Sequence, residues 1–254
     1  MSEVSSLTAT YLSRITEHLA RIEKEESGSI KRAAGLLAEH IAADKVVYVY
    51  GPGGHSNLAS QEVFFRGGGL MHFSAILDEG TLLSNGALRS MAIERTPGYG
   101  RIVIEDYGLD KGDLLIIANA YGINSATIDA ALTSRERGVK TIGISSFKHA
   151  EETAPDHPSR HPTRKNLHQI VDLAIDSKID VGDAVMSIEG VEQKLGAMST
   201  FANAFVLNCI VLETVALLQD RGVTPPIWRS GNAPGGDEWN RQFIGAFKGR
   251  IKKL

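Results

Sequence analysis

Lys45-Val46-Val47-Tyr48-Val49-Tyr50-Gly51-Pro52-Gly53-Gly54-His55-Ser56-Asn57 is the stretch on which the fold turns. Five consecutive β-branched or aromatic residues, stopped abruptly by Gly-Pro-Gly-Gly, read as a buried parallel strand entering a tight turn. Leu58, Val63 and Phe64 then resume helical spacing as far as Gly67-Gly68-Gly69, and residues 70–77 are strand-like again. The unit is βαβ.

The same alternation continues toward the C-terminus. Residues 113–118 predict a strand, 125–137 a helix, 139–145 a strand and 171–175 a short final strand, with a polar loop at 147–166 that carries Pro155, Pro158 and Pro162. Near-continuous apolar strands need cover on both faces, so the prediction is an α/β fold, a three-layer α/β/α sandwich around a parallel sheet. Residues 199–219 form a long, mostly apolar helix, central to the domain or part of a subunit interface. Toward the N-terminus, Leu7, Tyr11, Ile15, Leu19 and Ile22, then Ile30, Leu37 and Ile41, recur at spacings of three, four and seven. These predict two amphipathic helices separated at Ser27-Gly28, with Ser29 capping the second. The expected partition is a helical arm over 1–44 and one domain over 45–254.

Composition narrows the function. Among 254 residues, 27 Lys and Arg face 30 Asp and Glu, a formal net charge of −3. This removes the sequence-independent attraction to phosphate backbones and anionic membranes that a basic chain would have. Cys209 is the single cysteine, so no internal disulfide or multi-cysteine zinc site is available, and a reducing cytoplasm is expected. The N-terminus lacks the pattern of a signal peptide, and the most apolar run, 204–218, is interrupted by Asn208 and Glu213, so no membrane span is expected.

In a doubly wound sheet the ligand lies beyond the carboxyl ends of the strands. Two strand-to-helix turns stand out there. In the first, Gly53 and Gly54 let the backbone approach an anion, free amides at the helix start can donate to it, and Ser56 adds a hydroxyl, with Asn57 beside it. It is neither a P-loop nor a dinucleotide fingerprint. The second concentrates neutral hydrogen-bonding groups in Asn119, Tyr121, Gly122, Asn124 and Ser125. Each turn alone is equally readable as a capped helix start.

The pairing of Tyr-Gly-Pro-Gly-Gly-His-Ser (50–56) with Asn-Ala-Tyr-Gly-Ile-Asn-Ser (119–125), followed by Arg-Gly-Val-Lys-Thr-Ile-Gly-Ile-Ser-Ser (137–146), resembles the sugar isomerase (SIS) domain family. The likeness extends to Gly-Gly-Gly-Leu (67–70), Glu-Arg-Thr-Pro-Gly-Tyr-Gly (94–100), Ser-Arg-His-Pro (159–162) and Ser-Gly-Asn-Ala-Pro-Gly-Gly-Asp-Glu-Trp-Asn (230–240). The resemblance implies a five-stranded, flavodoxin-like parallel sheet, a phosphosugar at the strand ends, and a homodimer or homotetramer whose sites lie near subunit interfaces. It places Ser56 in the first phosphate loop and Asn119, Tyr121, Gly122, Asn124 and Ser125 in the second. Asn119 and Tyr121 depart from it, because hydroxyl residues are commoner there.

Aldose–ketose isomerisation needs a base at the carbon beside the carbonyl, a proton shuttle between oxygens, and stabilisation of the enediolate. Glu62, six residues after Ser56, is the first candidate base, and His55 or Glu238 the shuttle. Asn232 and Asp237 join the binding set if the 230–240 segment folds over the pocket, its own or a partner's; otherwise Asp237 caps the last helix and Glu238 favours its dipole. His72 is read as a buried structural histidine. His149, His157 and His161 gather in the proline-rich loop without the spacing of a zinc motif, so neither metal nor other cofactor is expected. The expected function is a phosphosugar isomerase or an allied enzyme acting on an amino-sugar phosphate. The alternatives are a non-catalytic phosphosugar-binding module, and a lyase or deaminase on the same scaffold.

Overall fold

A computed structural model describes residues 6–254. A 36-residue helix α1 (Leu7–Ala42) leads into β1 (Val47–Tyr50), α2 (Asn57–Val63), β2 (Phe73–Ile76), α3 (Ala87–Glu94), α4 (Tyr99–Asp106) and β3 (Leu114–Ala118). Then come α5 (Ser125–Glu136), β4 (Lys140–Ser145), α6 (Phe147–Glu152) and β5 (Leu173–Asp176). A small hairpin, β6 (Ala184–Met186) with β7 (Leu195–Ala197), precedes α7 (Ser199–Asp220) and α8 (Gly236–Phe247).

The five parallel strands run in the order β2-β1-β3-β4-β5, with Tyr50 level with Ile76 on one side and Ile117 on the other. Strand side chains alternate between two buried layers. Val47, Val49, Leu114, Ile116, Ile142 and Ile144 pack with α1 and α7, while Tyr50, Ile76, Leu115 and Ile117 pack with α4 and α5. Both faces are covered, which is why the strands carry so little polar residue. The helix over 199–219 thus lies in the main core: Ala202, Val206, Ile210 and Leu218 are buried, and α7 runs along α1. By length and composition α7 is apolar enough to cross a bilayer, yet this face is spent on the sheet and α1.

The two N-terminal helices expected from Ser27-Gly28 are one. The buried stripe Ile22, Glu26, Ile30, Ala33, Ala34, Leu37, Ile41 passes straight through the expected break. Glu26, itself buried, places its carboxylate 2.7 Å from Lys178 Nζ, and Asp176 lies 3.3 Å from the same ammonium. Tertiary packing therefore outweighs the weak local propensity of glycine. A Cβ at Gly28 would meet only Arg32, at an ordinary 3.8 Å. Gly28→Ala is accordingly expected to raise stability by about 0.5–1 kcal/mol in urea denaturation, and a loss would show that the helix is broken there.

Two shorter differences follow from the chain's punctuation. Helix α2 stops at Val63 instead of continuing to Gly67, because Phe64 is extended and Phe65 turns left-handed at φ 49°. The strand expected over 70–77 contracts to β2, since Leu70 and Met71 pair instead with Ile227 and Pro226. His72 is buried, with its ring edge-on to Phe247, and burial holds its pKa down at about 4. A structural histidine is what this environment describes.

Candidate functional site

The turn after β1 and the turn after β3 emerge side by side because their strands are neighbours in register. Asn119 ties them together. Its Nδ2 donates to the Pro52 carbonyl at 2.8 Å and to Ser56 Oγ at 3.1 Å, while its Oδ1 accepts from the amides of Gly122 at 2.8 Å and Tyr121 at 3.1 Å. The amide expected to contact a ligand is thus committed to a brace between the loops. Asn57, fully buried, likewise holds its own loop by donating to the carbonyls of Gly53 and Thr81. Both residues build the cradle from behind.

Glycine is required at two points of this construction. Gly53 has φ +113°, and a Cβ there would collide with the Glu94 carboxylate. Gly122 has φ +66°, and a Cβ would come 2.7 Å from Ser145 Oγ. Left-handed backbone disfavours any side chain at both positions. Ser125 is buried under the start of α5, its hydroxyl without a partner among the described residues.

Above the brace is a cavity of about 380 Å³, whose walls include Gly54, Ser56, Glu94, Tyr121, Asn124 and Thr200. Thr200 arrives on the first turn of α7. Asp183 fixes that turn from φ 66°, accepting from the Met198 and Ser199 amides and from Ser199 Oγ at 2.7–3.0 Å. An adjoining cavity of about 360 Å³ shares His55, Ser56 and Thr200, and adds Glu62, Arg66 and Asn203. His55 is exposed on the rim common to both.

The two candidate carboxylates differ in their surroundings. Glu62 stands in the adjoining cavity with Oε1 3.1 Å from both Arg66 Nε and Asn208 Nδ2, a paired group at the end of α2. Glu94, the last residue of α3, stands in the first cavity against the Gly53 backbone. Burial pushes its pKa up, opposed by the charge of Arg95 and by the Asn124 amide that donates to Oε1 at 2.9 Å. Desolvation makes a carboxylate a stronger base than one in water. Sequence reading gave Glu94 no chemical role, because only the fold brings it against residues 41 positions earlier and 30 later. The one local signal was its place at a helix end immediately before Arg-Thr-Pro-Gly.

Asn232, Asp237 and Glu238 are not among the residues lining either cavity of this chain. Asp237 and Glu238 are exposed on the first turn of α8 and Asn232 in the loop before it, and α8 is docked elsewhere: Asn240 exchanges hydrogen bonds with the backbone of Arg229, and Trp239 Nε1 donates to Ile227 O. Of the three loop histidines, His149 and His157 line one further cavity, while His161 turns to a different partner. His149 stacks on Tyr121, His157 Nδ1 meets Ser159 Oγ, and His161 Nε2 meets Asp129. Among the described residues, no group of three or more His, Cys, Asp or Glu is arranged to hold a metal ion.

The sequence profile of the SIS domain matches residues 10–146. The chain is 34% identical over 244 residues to UPF0309 protein GK1441 of Geobacillus kaustophilus, covering 96% of this chain and 95% of that one. It is 35% identical over 248 residues to UPF0309 protein BH0227 of Halalkalibacterium halodurans, covering 98% and 97%. Among solved structures, phosphoheptose isomerase GmhA of Neisseria gonorrhoeae superposes with a TM-score of 0.54 at 13% identity, over 84% of this chain and 97% of that one. The last comparison speaks to the fold, and it has the same sheet architecture. On the profile match and the full-length relatives, this chain belongs to the SIS domain family.

Proposed function

We propose that this protein binds a sugar phosphate in the cavity between the two braced turns and isomerises it by enediolate chemistry, with Glu94 as the base. The single observation that carries the reading is the half-buried Glu94 carboxylate, its pKa raised by burial, in the same cavity as the Gly54–Ser56 turn. Ser56 Oγ accepts from Asn119, which leaves its own proton free for a phosphate oxygen. Glu94 removes the proton from the carbon next to the carbonyl, and returns it to the neighbouring carbon. His55, on the rim, passes a proton between the two oxygens. In this reading Glu62 orients Arg66 and is not the base. The SIS relatives support the ligand class, and the name of the gonococcal neighbour supports the reaction class.

The protein is further proposed to act in the cytoplasm as a homodimer or homotetramer, with no nucleic-acid or membrane partner. Leu58 of α2 and Phe201 and Leu212 of α7 leave large apolar side chains exposed on adjoining helices, Leu212 to 70%. In this assembly the 230–240 segment, with Asn232, Asp237 and Glu238, is proposed to meet a neighbouring subunit's cavity. Sedimentation showing only monomers at micromolar concentration overturns this part.

The test is thermal unfolding against phosphorylated and unphosphorylated sugars, followed by NMR of any stabilising sugar phosphate in D2O. At about 100 times Kd, ligand adds about 2.7 kcal/mol to the folded state. Phosphate-dependent stabilisation with deuterium entering the carbon beside the carbonyl is the expected result. Stabilisation without exchange or turnover identifies a binding module instead, and no response to any sugar phosphate overturns the reading altogether.

A further inference from the structure

Behind Tyr121 lies a third cavity, of about 370 Å³, separated from the first by a wall that both share: Glu94, Tyr121 and Asn124. Its other side is lined by Arg95, His149, His157 and Ser159. We infer that this cavity is a binding site for a small oxyanion, phosphate or carboxylate, held by Arg95, His149 and His157.

Unspent donors and uncompensated charge make the case. The Arg95 side chain takes part in no ion pair or hydrogen bond among the described residues, and its Nε is buried without a partner. A buried guanidinium donor left unsatisfied costs more than an ordinary unmade bond, and a planar fork is suited to an oxyanion. His149, stacked at 3.7 Å on Tyr121, also has its Nδ1 buried and unpartnered. The Nδ1 of His157 accepts from the Ser159 amide at 3.3 Å, so the neutral ring carries its proton on Nε2 as a donor.

Arg160 adds a further positive charge near the site. Its guanidinium is consumed by the carbonyls of Ala150, Thr153 and Ala154 and by Asn166 Oδ1, so no carboxylate neutralises it. Burial together with the charges of His157 and Arg160 depresses the pKa of His149 to about 4, opposed only weakly by Asp183. Of the groups lining the cavity, Arg95 is the permanent cation and Glu94, in the shared wall, the carboxylate, while Arg160 and Asp183 act on His149 from outside the lining. An anion on the Arg95 side meets the unpartnered guanidinium and the unpartnered His149 Nδ1.

The oxyanion has two possible sources, a free inorganic ion or a second anionic group of the molecule seated beyond the wall. The experiment follows the ring resonances of His149 in histidine-labelled protein, at a constant pH just above its depressed pKa of about 4, while orthophosphate is added. An anion beside the ring favours the imidazolium, so the resonances are expected to move toward the protonated position. The same movement is expected in Ser56→Ala, which disables the cradle of the proposed sugar site and not this cavity. In Arg95→Gln, half-saturation is expected to need at least about tenfold more phosphate, with Arg95→Lys intermediate. No movement in wild type with either orthophosphate or a hexose bisphosphate, or an unchanged titration in Arg95→Gln, overturns the inference.

A hexose bisphosphate run beside the monophosphate then identifies the source. Movement of His149 with the bisphosphate alone, lost in Ser56→Ala, means that the site takes the second group of the sugar ligand. Movement with orthophosphate that ignores Ser56 means a separate ion, and this result stands even if no sugar phosphate binds.

Discussion

Glu94→Gln is expected to lower sugar phosphate turnover by about 10²–10⁴-fold, the range over which a positioned general base contributes, while the ligand still protects the folded state. Glutamine keeps the shape and still accepts from Asn124, but it cannot take a proton. Glu62→Gln, by contrast, disturbs a carboxylate already paired with Arg66 and Asn208, and its effect is expected to be far smaller. Full turnover in Glu94→Gln, or equal losses in the two variants, removes Glu94 from the mechanism.

Acidity provides an independent check. The base acts when ionised, so the acid limb of the rate profile should be displaced upward, in the direction in which burial moves Glu94. The stability sign is opposite to that of a salt-bridged acid. With a folded pKa above the unfolded one, Glu94 contributes no penalty while it is protonated in both states, below the unfolded value. That advantage is lost as pH rises through the folded value. At neutral pH, Glu94→Gln should therefore melt no lower than wild type, and a higher melting point would separate lost chemistry from lost folding.

Asn119→Ala is expected to produce the largest structural effect at the site. The side chain is 4% exposed and satisfies the Pro52 carbonyl, Ser56 Oγ and two backbone amides at once. Its removal leaves several buried groups unpaired, at a cost of about 2–4 kcal/mol. In a chain of this size each 1 kcal/mol moves Tm by about 2–4 °C, so thermal melting resolves the change easily. Sugar phosphate binding should fall as well, because the two turns lose their mutual support. Asn119→Asp distinguishes brace from ligand contact: it keeps the acceptors for Tyr121 and Gly122, loses the donors to Pro52 and Ser56, and should be intermediate in stability. If Asn119→Ala melts like wild type yet fails to bind, the side chain contacts the ligand directly.

The sheet was legible from residue order because its signals are local. Val46 to Tyr50 and Leu114 to Ala118 are near-continuous apolar runs, and glycine-containing turns follow them where a helix must begin. Both turns that build the cradle were legible for the same reason. The length of α1 was not, because Ser27-Gly28 is a weak local breaker whose cost is overcome by the buried stripe and by Glu26 meeting Lys178, 152 positions away. Nor was the division of labour within the cradle. Asn57 and Asn119 carry the same groups whether they face a ligand or their own backbone.

By itself, then, the sequence determined the layers, the parallel strands, the glycine turns at their carboxyl ends and, through the motifs at 50–56 and 119–125, the family. Those depend on periodicity and on backbone conformations that few residues adopt. Only tertiary structure decided which carboxylate is desolvated beside the cradle, that 230–240 docks away from this chain's own cavity, and that Arg95 and His149 share a second chamber. Burial and charge environment are sums over neighbours distant in sequence, and Glu62 and Glu94 are the same residue until the folded chain surrounds them differently.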